Sequence, residues 1–349
     1  MLIALPQIGR RRTVAWLGAL AFLPGAAPSR LVLAARDRAF EAAILAIWGA
    51  PFAGVAHAEV DFDGAGFDPA RLPDMVDDGG TAWDVCLADA AICDRLGRAG
   101  LLEMLDYQVI DRRADPAGFA IPWWGIPAFL TSGVLACDST AFPGGWPRRW
   151  AEFWDTATWP GRRAMPAAHS PGVCEAALLA DGVGRDRLYP LDLDRAFVRL
   201  AALKPQLLFY RDEMQARLLL ATGAAVMGMV RNTTALRLRR ASGGRIDWTW
   251  NEALMAPCLW MVPKGNPAGR ALAMRFIAST QLPDRQLALL QTAGCGPANP
   301  QARAALAPPL AEIDPGAPAN LALSIPLDQG WYNDNEAGLA ERWQRFVAA

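Results

Sequence analysis

Residues 120–138, AIPWWGIPAFLTSGVLACD, decide the fold. The stretch is long and apolar, and Pro122, Gly125 and Pro127 punctuate it. Such a segment can cross from one half of a molecule to the other. A second of the same kind, RIDWTWNEALMAPCLWMVPKG, follows at 245–265. Outside these two, short apolar strands alternate with helical segments, the pattern of α/β halves. Two long crossovers between two α/β sets predict two lobes joined by two strands. That architecture leaves a cleft; such clefts bind small molecules and close by hinge motion.

RLVLAA (30–35), AEVDFD (58–63) and WDVCLA (83–88) read as strands of the first set. From Phe40 the spacing turns helical, with Phe40, Ile44, Ile47 and Trp48 on one face and Asp37 as the candidate N-cap. Gly100 closes the helix after the third strand. RWAEFWD (149–155) opens the second set. YRDEMQARLLLATG (210–223) carries a capping box, Asp212 with Gln215 three residues on. LDLDR, with Asp192 and Asp194, reads as a capped helix start rather than a metal site. Leu339, Trp343 and Phe346 mark one face of a last helix.

The chain has 349 residues, 53% of them hydrophobic, and a formal net charge of −1 that argues against nucleic acid as a partner. Of its 34 basic residues only Lys204 and Lys264 are lysine, so an arginine by itself marks nothing. Residues 1–29 read as an export signal. Arginines at 10–12 precede an apolar stretch from Val14 to Leu23, and Arg11-Arg12-Thr13 has a twin-arginine look. A membrane anchor is the rival reading, but about 20 apolar residues are needed to span a bilayer. No later apolar run of about 18 residues is expected. The mature protein is thus expected to be soluble in the periplasm. With no cysteine before Cys86, it is not expected to be a lipoprotein. The six cysteines, at 86, 93, 137, 174, 258 and 295, form no metal-ligand array.

VMGMVRNTT (226–234) is an apolar strand that ends in Arg231 and Asn232. Large hydrogen-bonding groups at the end of a core strand suit a polar or anionic ligand. Arg231 could equally pair with Asp212 or Glu213.

At this level the sequence resembles periplasmic solute-binding proteins of the spermidine/putrescine-binding type. The stretches that carry the likeness are WDVCLADAAICDRLGRAGLLEMLD, FWDTATWPGRRAMP, EAALLADGVGRDRLYPLDLDRAFVRLAALKP, LLLATGAAVMGMVRN, LWMVPKGNPAGRALAMRFIA and CGPANPQA, in that order. The resemblance implies the two-lobed type II periplasmic binding protein fold, an α/β fold with a ligand cleft between lobes. Lobe one is expected at 30–133 and 258–297, lobe two at 134–257 and 298–349. It also implies a monomer that delivers a small solute to an inner-membrane ABC permease with its ATPase, without a cofactor.

The departures from the family pattern fall on the ligand positions. Carboxylates that open the second lobe align with His169 and Gly172, an acid with Cys258, and aromatics with Arg36, Arg231 and Cys295. A polyamine needs paired carboxylates when desolvated. These substitutions therefore imply an anionic or zwitterionic solute, with polyamine binding as the alternative. Cys258 and Cys295, aligned with neighbouring cleft positions, are implied to pair or to remain small buried thiols. The expected ligand-binding set is Arg231, Asn232, Arg36, His169, Trp123, Trp124, Asp212, Gln215, Cys258 and Cys295, with no metal ligand. The alternative readings are His169 as a loop residue and Trp123 and Trp124 as core. No catalytic motif is present, so the chain is not expected to be an enzyme. A sensor that presents its ligand to a receptor is the other class.

Overall fold

The computed structural model describes residues 29–36, 38–111, 119–142, 144–304 and 306–349. The leader up to residue 28 and the Asp37 cap lie outside the described residues.

A ten-stranded sheet runs through the molecule. In chain order its strands are β1 (Ser29–Ala35), β2 (Ala58–Phe62), β3 (Val85–Asp89), β4 (Gly125–Asp138), β5 (Arg163–Pro166), β6 (Leu207–Tyr210), β7 (Met227–Arg231), β8 (Ile246–Met261), β9 (Gly296–Pro297) and β10 (Ile325–Pro326). The spatial order is β2-β1-β3-β8-β4-β7-β5-β6, with β9 on β4 and β10 on β8. Parallel strands form both ends, and the antiparallel pair β4 and β8 joins them. Those two strands have 14 and 16 residues and pair from Gly125↔Met261 to Asp138↔Ile246. They are the two predicted crossovers. At about 3.3 Å per residue they reach well beyond an ordinary strand. Near the middle the register slips, because Gly133 faces Leu254 while Leu135 faces Thr249. Glu252 lies in the slip with φ of 60°, and its carboxylate accepts from the Trp150 N–H at 2.9 Å. A bulge of this kind bends and twists its strand.

The helices used below are α1 (Arg38–Ala56), α2 (Ala90–Arg98), α3 (Val173–Ala180), α4 (Glu213–Ala221), α5 (Asn232–Ala241), α6 (Pro283–Ala293) and α7 (Gln329–Ala348). α1 widens to a π turn at Leu45–Gly49 just before Pro51, whose ring nitrogen has no proton to donate. Phe40, Ile44, Trp48 and Phe52 recur every four residues and are buried against the sheet. At 19 residues and a mean hydropathy of 1.6, α1 is long and apolar enough to cross a membrane by length and composition. That overturns the expectation of no such run after the leader. Its apolar stripe instead meets Trp260 and Phe129, with Trp48 ring centroids at 5.8 and 6.4 Å.

Each face of the sheet carries two separate cores. On one face, Leu135, Met227, Met229 and Leu254 pack with Trp150, Tyr332 and Trp343. On the same face, Leu31, Val85, Phe129 and Trp260 pack with α1. Side chains along β8 alternate, so Leu254, Ala256, Cys258 and Trp260 all point to this face. Leu254 belongs to the first core and Trp260 to the second. Ala256 and Cys258, half-buried, fall in the strip between them. The opposite face repeats the arrangement, with Val134, Val230 and Ile246 in one core and Trp83, Ile92 and Leu259 in the other. The strip with small side chains between two cores is the floor of a cleft.

Candidate functional site

The carboxyl ends of the parallel strands from both ends of the sheet converge on that strip, where ligands of open α/β sheets bind. β1 delivers Arg36, β3 delivers Asp89, β7 delivers Arg231, and the turn after β5 delivers His169. Thr131 of β4 hydrogen-bonds the Cys258 thiol on the floor. Burial pushes that thiol up to about 11, while Arg231 pulls it down and Asp89 pushes it up. Cys258 therefore feels a cation from one side and a carboxylate from the other.

Charged groups chain across the cleft. Asp89 caps α2, its Oδ1 accepting from the Ile92 N–H at 2.9 Å. Its Oδ2 stands 3.5 Å from Arg36 Nη1, and the same guanidinium is 3.8 Å from Glu336 Oε1 on α7. Arg95 of α2 reaches Glu336 Oε2 at 2.6 Å. Asn333, one turn earlier on α7, donates to Asp94 at 3.1 Å. On the other flank Arg237 of α5 pairs with Glu213 at 2.5 Å and donates to the Ala39 carbonyl of α1 at 3.1 Å.

The turn after β5 is supported from beneath. Glu175 is fully buried in the first turn of α3, and loss of water raises its pKa. It accepts from the hydroxyls of Tyr189 at 2.5 Å and Tyr332 at 2.8 Å, which offset that rise. Tyr332 in turn accepts from the Gly172 N–H at 2.9 Å. Gly172 has φ of 100°, and a Cβ there would sit 3.0 Å from Leu254 and 3.2 Å from Met229. A side chain at the position aligned with a carboxylate would thus be crowded by Leu254 and Met229 and strained by the positive φ. His169 packs 6.1 Å from the Tyr332 ring. Desolvation lowers its pKa to about 4, with Glu336 opposing and Arg36 reinforcing, so the imidazole is neutral at pH 7.

The structure thus brings Arg36, His169, Arg231, Cys258 and Cys295 to one place. The other expected residues stand differently. Asn232 is buried, and its amide is engaged on both sides: Oδ1 accepts from the Ser132 N–H at 2.9 Å and Nδ2 donates to the Gly294 carbonyl at 2.8 Å. It ties β4 to the end of α6 instead of facing a ligand. Asp212 and Gln215 close the capping box on α4, Asp212 accepting from the Gln215 N–H and Gln215 from the Arg211 N–H, both at 2.8 Å. Trp124 precedes Phe129, the partner of Cys258, by five residues, or about 16 Å along the strand. It packs over Gly97 of α2. Trp123 lies 5.8 Å from the Tyr107 ring, also away from the floor.

The six cysteines are free thiols, and the implied Cys258–Cys295 bond is not formed. The reason is topological. β8 flanks β4 on one side and the segment entering β9 flanks it on the other, with Cys258 opposite Phe129 and Gly296 opposite Leu130. Two strand spacings are about 9–10 Å, beyond the roughly 7 Å Cα limit for a disulfide.

Asp89, Glu336 and Arg237 are functional-site residues that the sequence reading does not single out. Asp89 had a readable signal: like Arg231, it ends a strand where a helix begins. Glu336 and Arg237 had none, since each is one charged residue on a helix whose facing is set by tertiary packing.

Residues 69–319, more than half the chain, match the family model described as bacterial extracellular solute-binding protein. The gamma-aminobutyric acid-binding protein of Pseudomonas aeruginosa is 32% identical over 287 residues, 80% of each chain. Among solved structures, the Atu4243–GABA receptor superposes with a TM-score of 0.84 at 30% identity, covering 91% of this chain and 97% of that one. AgtB of A. tumefaciens R10, in complex with agropinic acid, gives 0.80 at 29% identity, covering 92% and 99%. These names carry GABA and agropinic acid and lend no support to the polyamine alternative. The likeness agrees with the two-lobed binding-protein fold. The chain belongs to the bacterial extracellular solute-binding protein family.

Proposed function

We propose that this protein is the substrate-binding component of an ABC importer and that it takes a small zwitterionic solute of the amino-acid type, as its GABA-binding relative does by name. The observation that carries the reading is the placement of opposite charges about Cys258: in the order β3-β8-β4-β7, Asp89 ends β3 directly beside Cys258 on β8, and Arg231 ends β7 on the other side. A solute carboxylate would meet the Arg231 guanidinium, a geometry suited to charge-assisted bonding. A solute ammonium would meet Asp89, whose Oδ2 stands 3.5 Å from Arg36. The neutral His169 would offer a hydrogen bond without adding charge. We place the lobes at 30–133 with 258–297 and at 134–257 with 298–349, and the mature chain in the periplasm as a soluble monomer without a lipid anchor.

The test is a thermal-shift panel of GABA, other amino acids, dicarboxylates, opines and polyamines. A ligand at about 100 times its Kd adds roughly 2.7 kcal/mol to native stability. GABA or a related amino acid is expected to raise the melting temperature. Arg231→Ala is expected to cost about 1.5–3 kcal/mol of binding, or roughly 10- to 150-fold in affinity, with the fold intact. Tight stabilisation by putrescine that survives Arg231→Ala would overturn the reading.

A further inference from the structure

We infer that Glu336 is a positioning residue that latches the cleft: reaching from α7, it holds Arg36 and α2 across the opening and keeps the cleft closed before any solute arrives. The inference rests on the two-lobed cleft reading and goes beyond it by naming the device that sets closure.

α7 faces two ways. Its Tyr332, Leu339 and Trp343 are buried in the core that Met227, Met229 and Leu254 share. Asn333 and Glu336 point out from that core toward α2, which packs on the other side of the cleft. Glu336 uses both oxygens: Oε1 stands 3.8 Å from Arg36, and Oε2 stands 2.6 Å from Arg95. Its side chain is 20% exposed, whereas Arg36 and Arg95 are 51% and 45% exposed. The carboxylate is therefore the sheltered centre of the cluster, and the two guanidiniums approach it from water. Asp94 and Asn333 add a neutral-to-charged bond beside it at 3.1 Å.

Two consequences follow. Arg36 is oriented by Asp89 of its own half and Glu336 of the other, so its final position is complete only when the halves meet. Every contact of the latch except Asp89 to Arg36 crosses the cleft, so opening breaks them together. Partly exposed ion pairs are individually weak and salt-screened, which suits a latch that must release its solute.

Small-angle scattering of the ligand-free protein tests this directly. Glu336→Gln keeps the shape and removes the charge. Its radius of gyration is expected to exceed that of the parent at low salt. The parent is expected to expand toward the same value as salt rises, while the variant stays constant. Arg95→Ala, on the exposed side of α2, is expected to reproduce the expansion even if Glu336→Gln folds poorly, and the double variant to expand no further than either single one. With GABA as the probe, both single variants are expected to bind about three- to tenfold more weakly, the loss of one or two partly exposed ion pairs. A ligand-free Arg95→Ala or Glu336→Gln profile identical to the parent's, with the same salt response, would overturn the latch. The scattering arm contains no ligand, so a failure of GABA to bind would count against the proposed solute class alone.

Discussion

On the wall built from β1, β3 and α2, the Asp89 carboxylate stands beside a guanidinium. On the wall built from α3 and the turn before it, Glu175 is met by two tyrosine hydroxyls and His169 is stripped of water. The first wall can meet ions with ions and responds to salt. The second strips its titratable groups of water and responds to pH. One cleft therefore joins an electrostatically soft jaw to an electrostatically quiet one. In the proposed function a charged solute would be attracted mainly by the first, and by Arg231 between them.

The comparison breaks most visibly if the hydroxyl cage is opened. Glu175→Ala leaves the Tyr189 and Tyr332 hydroxyls without their acceptor in a fully buried place, and unsatisfied buried donors cost about 1–3 kcal/mol each. A loss of about 3 kcal/mol or more in denaturant unfolding is expected. Tyr332→Phe, which also strips the Gly172 N–H of its acceptor, is expected to lose about 1–3 kcal/mol. A stability within 0.5 kcal/mol of the parent, about the scatter of neutral surface changes, would show that the cage is not structural.

The quiet wall also makes a pH prediction with a definite sign. The folded pKa of His169, about 4, lies below the ordinary imidazole value of 6.5. Its contribution is present above pH 6.5 and is lost as pH falls from 6.5 through 4, because the unfolded chain takes the proton first. Glu175 acts with the opposite sign: its raised pKa favours the protonated form, so its contribution grows as pH falls and is lost as pH rises through the folded value. Replacing His169 by Asn is expected to flatten the fall in melting temperature between pH 6.5 and 4. An unchanged pH profile in the variant would mean that the imidazole is not desolvated in solution.

On the soft wall, Arg36→Ala is expected to change stability by less than about 1 kcal/mol, as exposed ion pairs do, and to show mainly in solute affinity. The smallest expected effect is that of reductant. Since the six cysteines are free thiols, dithiothreitol should leave the melting temperature unchanged, and alkylation after denaturation should label every thiol without prior reduction. A reductant-sensitive melting curve would bring back the Cys258–Cys295 pair.

How legible all this was in the sequence differs by element. The crossovers were readable because their length exceeds what a local strand needs, and 120–138 and 245–265 became β4 and β8. The Asp212–Gln215 box and the Phe40, Ile44, Trp48 stripe were readable because capping and 3.6-residue spacing are local properties. Arg36, Arg231 and His169 were readable as strand-end residues or as departures from a family pattern. Asn232 misled because its amide suits a ligand and a structural tie equally well. Trp123 and Trp124 misled because aromatic character says nothing of distance along a strand. The aligned ligand positions His169, Gly172 and Cys258 indeed hold no acid. Asp89 and Glu336 reach the cleft from a strand end and a helix that no aligned position marked.

Asn232 carries one last implication. Its amide rivets the middle of β4 to the end of α6, at the point where the two halves exchange strands. A body beside a pivot moves little when the jaws swing. Arg231, one residue from that rivet, should therefore keep nearly the same station in the open and closed forms, while Arg36 and Glu336 travel with their jaws. In the proposed transport cycle, Arg231 is the mooring a solute would find first on arrival and leave last on release.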